Sequence, residues 1–446
     1  MGDDQAPPKL PRAPTGTHDV LWPESTRWEA LVARFAARAE AAGFGLLLTP
    51  VFEDAGLFRR GMGGDSDVVT KEMYEFTDRG GRTLALRPEG TASVVRAFVQ
   101  HRPPVPWKAW YAAQAFRYER PQAGRYRQHH QLGVEALGTD DPDLDVEVVA
   151  LAAAFYADLG LRRVTLALNS MGCASDRPPY VEALTAFLAG RAGQLCDEHR
   201  DRLGPNVLRV LDCKRPECRA ATEDAPRLID FLDDACASHL TRVRAGLEAL
   251  GVDYRIEPRL VRGLDYYTRT TFEFASEALA AAQNAVGGGG RYDGLVEAVG
   301  GPPTPGIGFG IGIERVLLAC DAEGCFAPEP SPPPVFVVDL TGGERARDLV
   351  DQLRRGGVGA LRAYDDRSLK AQLKLADRSG ARYAVIIGAE ELATGVVTLR
   401  PLREDAAQER VTREEVVGRL TALAQNHQDR AAPGGSPAAA AAPRGV

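Results

Sequence analysis

Between Gly306 and Arg315 the chain reads Gly-Ile-Gly-Phe-Gly-Ile-Gly-Ile-Glu-Arg, a strict alternation of glycine with large apolar residues. At the two-residue period of a strand, Gly306, Gly308, Gly310 and Gly312 fall on one face and Ile307, Phe309, Ile311 and Ile313 on the other. The alternation predicts a strand over 306–313 with one apolar face and one face free of side chains. Such a face suits either a flat shelf for a planar base, with Arg315 arriving just beyond it, or tight packing under another element. The spacing does not match the dinucleotide fingerprint G-x-G-x-x-G, and no lysine stands in a G-K-[ST] context. ATP, if it binds, must therefore be held by arginines.

Patterns over 107–118 and 127–137 predict two strands joined by a polar loop. In the second strand His129, Gln131, Gly133 and Glu135 share one face, and Leu132, Val134 and Ala136 take the other. Gly133 leaves floor space for a small ligand. Arg117 ends the preceding strand, and the loop adds Glu119, Arg120, Gln122 and Arg125. Any one of these residues fits a solvated sheet face with a charged turn. The whole set, with a glycine gap and three arginines, points to a binding site.

Two further stretches, Leu260-Val-Arg262-Gly-Leu-Asp265-Tyr266-Tyr267 and Gly287-Gly-Gly-Gly-Arg291-Tyr292-Asp293, set an arginine, an aspartate and tyrosines beside glycines. That composition suits anionic ligand groups, although each alone also fits a turn with a surface ion pair. Arg87-Pro-Glu89-Gly-Thr91 puts a carboxylate and a hydroxyl around a turn. There is no His-Ile-Gly-His signature, no H-E-x-x-H and no serine-centred nucleophile elbow. The nucleophile must come from a substrate.

At 446 residues the chain exceeds one ordinary core, and 44% hydrophobic with 26% charged residues is near the globular average, so two or three domains are expected. Ser25 can cap a helix over 25–42 carrying Trp28, Leu31, Val32 and Phe35 on one face. A strand over 44–52 is interrupted by Pro50. The overall pattern is α+β. A mostly antiparallel sheet domain over 1–168 and 256–326 is split by a helical insertion at 169–255, with helices at 180–187 and 225–250. Pro-rich residues 327–334 form a linker. Short strands at 335–340, 360–364 and 383–387 then alternate with helices at 344–355 and 368–378, giving an α/β domain over 335–423. Residues 424–446 are expected to be a disordered Ala/Pro-rich tail.

No apolar run reaches membrane-span length, the start Met1-Gly-Asp-Asp lacks a signal-peptide form, and Ala6 stands where myristoylation wants Ser or Thr. A cytoplasmic location is expected, with no membrane partner. The net charge of −7 argues against a basic-coated surface but leaves room for a local basic groove. Seven cysteines, an odd number, do not read as a disulfide framework. Cys213 and Cys218 have no second Cys/His pair placed to complete a zinc site, so no structural zinc is expected.

Taken together, these residues resemble the class II aminoacyl-tRNA synthetases, and within them the histidyl-tRNA synthetases, from about Gly16 to Leu420. Helix 25–42 with Pro50 looks like the first class II motif, which builds a homodimer interface in that family. Phe116-Arg117-x-Glu119 through Arg125 looks like the second motif, and the glycine strand with Glu314-Arg315 like the third. Leu260–Tyr267 and Gly289-Gly-Arg-Tyr-Asp-Gly294 match the two far more specific histidine signatures.

The resemblance implies a histidine–tRNA ligase with an antiparallel class II sheet flanked by helices, a helical insertion holding the tRNA acceptor arm, and a C-terminal α/β anticodon-binding domain. L-histidine, ATP with Mg²⁺, and tRNA(His) would be its ligands. By position, Arg262 would be the catalytic cation and Arg117 would hold the α-phosphate. Arg315, Glu119, Arg125 and His129 would lie around ATP. Glu89, Thr91 and Gln131 would receive the histidine ammonium. Glu135 and Tyr267 would bond its imidazole nitrogens, with Tyr292 in the pocket wall. Arg120 and Gln122 would read the acceptor end, and Lys370 and Lys374 would face phosphates. His129 departs from the family, which usually has Phe there; weaker or pH-dependent ATP affinity is expected from it. The rival within this fold is a synthetase-like regulatory subunit of ATP phosphoribosyltransferase. Such paralogues lack the anticodon domain and ATP-handling residues that this chain keeps. Another class II synthetase is disfavoured by Leu264-Asp-Tyr-Tyr267.

Overall fold

The structure, a computed structural model, describes residues 10–63, 66, 68–200, 207–211, 213, 215–261, 266–280, 284–328 and 333–431, of which 424–431 as backbone. Arg262 to Asp265 lie outside the described residues. The chain divides into two compact units, Met1–Pro328 and Glu329–Val446.

The first unit is built on an eight-stranded sheet. Its strands in chain order are β1 (Gly45–Leu46), β2 (Trp107–Phe116), β3 (Gln128–Leu137), β4 (Val164–Ser170), β5 (Arg255–Ile256), β6 (Thr268–Ser276), β7 (Ala285–Arg291) and β8 (Gly306–Gly312). Their order in space is β1-β2-β3-β8-β7-β6-β4-β5. The six central strands pair antiparallel, and only β1 and β5 at the edges pair parallel. The antiparallel expectation therefore holds.

Period two decides which face is core. Leu132, Val134 and Ala136 of β3, Ile307, Phe309 and Ile311 of β8, and Phe272 and Phe274 of β6 form one buried cluster. Helices α1 (Glu24–Ala41), α2 (Pro142–Asp158) and α3 (Ile313–Glu323) cover it, joined by Val243 and Leu247 of the helix Asp234–Ala249. Phe35 of α1 packs edge-on to Phe155 and Phe309, with centroids 5.2 and 6.1 Å away. Burying a side chain of this size contributes about 2–3 kcal/mol. The opposite face carries the alternate residues and is left for the cleft described below.

Ser25 does not cap α1. The helix starts one residue earlier, after Pro23, with no side-chain cap bond. The interruption at Pro50 is real: the chain breaks between Gly45–Leu46 and Phe52–Asp54. The buried Arg87 guanidinium stitches that break, donating to the Thr49 and Pro50 carbonyls at 3.1 and 3.2 Å.

Between the sheet strands, the insertion contains α4 (Arg177–Ala189) and α5 (Asp234–Ala249), where helices at 180–187 and 225–250 are expected from sequence. Among the described residues, the stretch between them holds short helical turns, of which Pro216–Ala221 is the longest. The long helix expected from residue 225 starts only at Asp234, because Asp233 terminates the preceding turn and caps α5 through Cys236 N at 2.7 Å.

The second unit is a five-stranded sheet with Tyr383–Ile387 at its centre, in which Val335–Asp339 runs parallel to both Ala360–Arg362 and Tyr383–Ile387. Two antiparallel strands missed by the sequence reading, Val396–Pro401 and Glu409–Thr412, extend it. Helices Glu344–Arg355 and Leu369–Arg378 match expectation. The last helix, Val416–Ala431, runs past residue 424, where a disordered tail was expected to begin. Among the described residues no helix is long and apolar enough to cross a membrane.

Candidate active site

The side-chain-poor face of the sheet floors a cleft of about 1270 Å³. Its lining includes Glu89, Thr91, Arg117, Glu119, Gln122, Arg125, His129, Gln131, Tyr267, Tyr292 and Arg315, so eleven of the residues singled out in the sequence meet in one place.

Glu135 anchors one end and is fully buried. Thr91 Oγ1 donates to its Oε1 at 2.6 Å, and Tyr292 OH donates to its Oε2 at 2.6 Å. Burial pushes its carboxyl up to about 8, against the pull of those hydrogen bonds. Next to it Glu89 accepts from Ala92 N at 3.0 Å, at the start of the helix Thr91–His101, and from Tyr266 OH at 3.1 Å. Burial raises the Glu89 carboxyl as well. Gln131 Oε1 is buried without a hydrogen-bond partner. A buried acceptor left unpaired costs about 1–3 kcal/mol, so this atom is set up to receive a ligand donor.

The other end is cationic. Arg315 donates to the carbonyls of Gly124 and Ala285 at 3.2 and 2.9 Å. Its guanidinium is pushed below its ordinary value by burial, and next by the charges of Arg125 and Arg117. Arg117 is held by the Pro88 carbonyl at 2.9 Å, and Arg125 pairs with Glu119. Like charges gathered this closely, with the Arg315 charge only partly offset by Glu273 and Glu314, suit a polyanionic ligand. His129 lies among them. Burial and then the charges of Arg117 and Arg315 pull its imidazole down to about 3. In the empty cleft it is therefore neutral near neutral pH.

The glycines serve a different purpose from the one expected. Tyr111 faces Gly133 across the β2–β3 pair, and its ring fills the space where a Gly133 side chain would stand. Gly308, opposite Glu135, makes room for that carboxylate in the same way. These two positions admit the chain's own side chains, not a ligand. Of the four glycines of β8, only Gly312 has open space above it.

Arg291 is also corrected. Period two turns Tyr292 into the pocket and Arg291 away from it, where it is wholly buried in an ion pair with Asp145 at 2.9 Å. Asp145 also bonds His239 at 2.5 Å and Thr270 at 3.3 Å. Glu314 accepts from the His130 backbone N–H at 2.9 Å and orients that strand's end. The sequence reading missed Tyr111, Tyr266, His130 and Glu273. Tyr266 was visible beside Tyr267, whereas Tyr111 needed the strand register. Arg120 is exposed on the loop outside the cleft lining, Gln122 sits at its rim, and Arg262 falls outside the described residues.

Residues 16–316 match the family model described as histidyl-tRNA synthetase, and residues 335–423 match that of the anticodon binding domain. The chain belongs to the histidyl-tRNA synthetase family. It is 48% identical over 400 residues to a histidine–tRNA ligase of Pelotomaculum thermopropionicum, covering 88% of this chain and 93% of the relative. It is likewise 48% identical over 420 residues to that of Rhodococcus erythropolis, covering 93% and 98%. The crystal structure of the apo S. aureus histidyl-tRNA synthetase superposes with a TM-score of 0.78 at 33% identity, covering 92% of this chain and all of that one. The α+β class II fold expected from the motifs is thus the fold of the family.

Proposed function

We propose that this chain, a class II histidine–tRNA ligase, condenses L-histidine with ATP and passes the histidyl group to tRNA(His) within the one cleft described above. The observation that carries the reading is a buried, hydrogen-bonded glutamate carboxyl at one end of the cleft and three mutually close arginines at the other. Histidine's carboxylate attacks the α-phosphorus, the bond to the β-phosphate breaks and pyrophosphate leaves. The terminal ribose hydroxyl of the tRNA then attacks the acyl carbon and AMP departs. Two anions have to meet in the first step, and fixed guanidinium groups lower that barrier by compensating charge without reorganising.

In this reading Arg117 and Arg262 take the α-phosphate and carboxylate, Arg315 and Arg125 the outer phosphates, and His129 lies against adenine. Glu89, Thr91 and Gln131 take the ammonium; the unpaired Gln131 Oε1 supports this. Glu135 and Tyr267 take the imidazole, with Tyr292 holding Glu135. Partners for both ring nitrogens would reject analogues lacking them by about 10⁴-fold or more without editing. Glu119 and Glu273 are carboxylates in the cleft beside the arginines and would hold a phosphate-bound Mg²⁺, which supplies charge neutralisation when present.

We place the chemistry in 1–168 and 256–326 and the acceptor arm against 169–255. Exposed Arg120 and Gln122 would touch the acceptor end, and exposed Lys370 and Lys374 on the helix Leu369–Arg378 would face anticodon-stem phosphates. A homodimer is supported by Leu46, Leu48 and Phe52, which are 55%, 79% and 52% exposed beside the edge strand β1. The cytoplasm is the compartment in which these ligands meet. The regulatory-subunit reading is disfavoured by the 335–423 match and by the retained arginines.

The deciding experiment is ATP–pyrophosphate exchange with each of the twenty amino acids, for the wild type and Arg262→Ala. Only histidine should support exchange, and the substitution should nearly abolish it. Exchange with another amino acid, or none with histidine, would overturn the reading.

A further inference from the structure

Four potential ligand atoms from two distant stretches of the insertion converge: Cys196, His199, Cys213 and Cys218 all lie within 4.8 Å of one another. His199 Nδ1 is 3.1 Å from Cys196 Sγ and 3.8 Å from Cys218 Sγ. A tetrahedral zinc ion, with bonds of about 2.3 Å to sulfur and about 2.0 Å to nitrogen, separates its ligand atoms by roughly 3.5–3.8 Å. The cluster therefore brackets the size of a Cys3His zinc site. The sequence pattern is Cys196-x-x-His199 followed by Cys213-x-x-x-x-Cys218. The expectation of no zinc left out Cys196 and His199, which only the folded chain brings to Cys213.

Two surrounding features belong to a metal site more than to four loose thiols and rings. The backbone N–H of Cys196 donates to Cys218 Sγ at 3.2 Å, a bond that stabilises a metal thiolate and orients it. Cys196 and Cys218 are also buried in the insertion's own small core, among Tyr180, Leu184, Leu195 and Val210. The elements joining that core between α4 and α5 are single turns such as Asp197–Arg200 and Val207–Val210. A unit this small with this little regular structure gains most from a cross-link.

A second grouping, Cys173, Asp176, Asp233 and Cys236, has a different explanation. Asp176 accepts from Cys173 N and Asp233 N, both at 2.8 Å, and Asp233 caps α5, so these carboxylates are engaged as helix and turn caps.

We propose that Cys196, His199, Cys213 and Cys218 bind one zinc ion tetrahedrally, as a structural site closed by four protein ligands. The site fixes one wall of the cleft. Arg259 donates to the carbonyls of Leu211 and Arg219, at 3.4 and 3.3 Å, immediately flanking the two cysteines of the second pair. Leu211, Cys213, Arg219 and Arg259 all line the cleft, and Val261 and Tyr267 pack on the same core. Zinc binding itself stands independently of the aminoacylation reading; only its effect on activity rests on that reading.

The test uses the full chain, purified without a polyhistidine tag or metal column and dialysed against metal-free buffer. Elemental analysis should find about one zinc per chain. A thiol-specific mercurial should release it to a colorimetric chelator, and Co²⁺ added to the emptied protein should give the intense visible bands of tetrahedral thiolate coordination. Cys213→Ser and His199→Ala should lose most of the metal, whereas Cys325→Ser should keep it. Because a ligand substitution can disturb folding, the Co²⁺ spectrum of the wild type decides separately. A wild type that neither carries zinc nor gives that spectrum overturns the site, and so does zinc retained by both ligand variants. If metal is present but chelation leaves histidine-dependent exchange unchanged, the wall-fixing role falls while the site stands.

Discussion

Glu135 and Gly308 face each other across β3 and β8, and the Glu135 carboxylate occupies the volume that a Gly308 side chain would need. Gly308→Ala should therefore displace the carboxylate from Thr91 and Tyr292. Such overpacking costs about 1–3 kcal/mol, equivalent to roughly a ten- to hundredfold rise in KM for histidine. KM for ATP, held at the other end, should change much less. Steady-state exchange kinetics with each substrate varied in turn give the comparison, and equal changes in both constants would count against the assignment.

Glu135 also has a pH signature. Its carboxyl sits near 8 in the fold and near 4.5 when exposed, so the folded chain holds a proton that the unfolded chain has lost. This group's contribution makes stability fall as pH rises from about 4.5 to about 8. Glu135→Gln should flatten that decline in thermal denaturation measured between pH 5 and 8. In kinetics, the ratio of wild-type to Glu135→Gln kcat/KM for histidine should rise through pH 8 as the carboxylate ionises and accepts the imidazole N–H. A flat ratio would show that Glu135 does not touch the substrate.

His129 is pulled down to about 3 and carries no charge between pH 6 and 8. His129→Phe should then shift KM for ATP by a constant factor across that range. A factor that varies with pH would show that the ring titrates when phosphates arrive.

Asp145 accepts from Arg291 in a wholly buried pair and also meets His239 and Thr270. Asp145→Ala should cost about 3 kcal/mol, because it leaves the buried Arg291 charge with only the more distant Asp293 carboxylate, at 3.3 Å. Urea denaturation followed by tryptophan fluorescence measures this. A loss under 1 kcal/mol would mean that water reaches Arg291 on substitution.

Local periodicity made much of the fold legible. The alternation over 306–312, the face of α1 with Leu31 and Phe35, and helix Glu344–Arg355 are patterns within one segment, and each formed where it was expected. The polar residues of 129–135 also declared their shared face. The strands Val396–Pro401 and Glu409–Thr412 were missed because their pairing partners, not their own pattern, make them strands.

Pairing decided what the glycines are for. Gly133 and Gly308 read as open floor until register set Tyr111 and Glu135 against them. It also decided that Arg291 points inward while Tyr292 enters the pocket, although the two are adjacent in the chain. Sequence by itself determined which residue types were available and which faces they would share, since both depend on backbone period alone. Tertiary structure decided their charge states and their partners. The protonation of His129 and Glu135 and the meeting of Cys196 with Cys218 depend on burial and on neighbours that only the folded chain brings within a few ångströms.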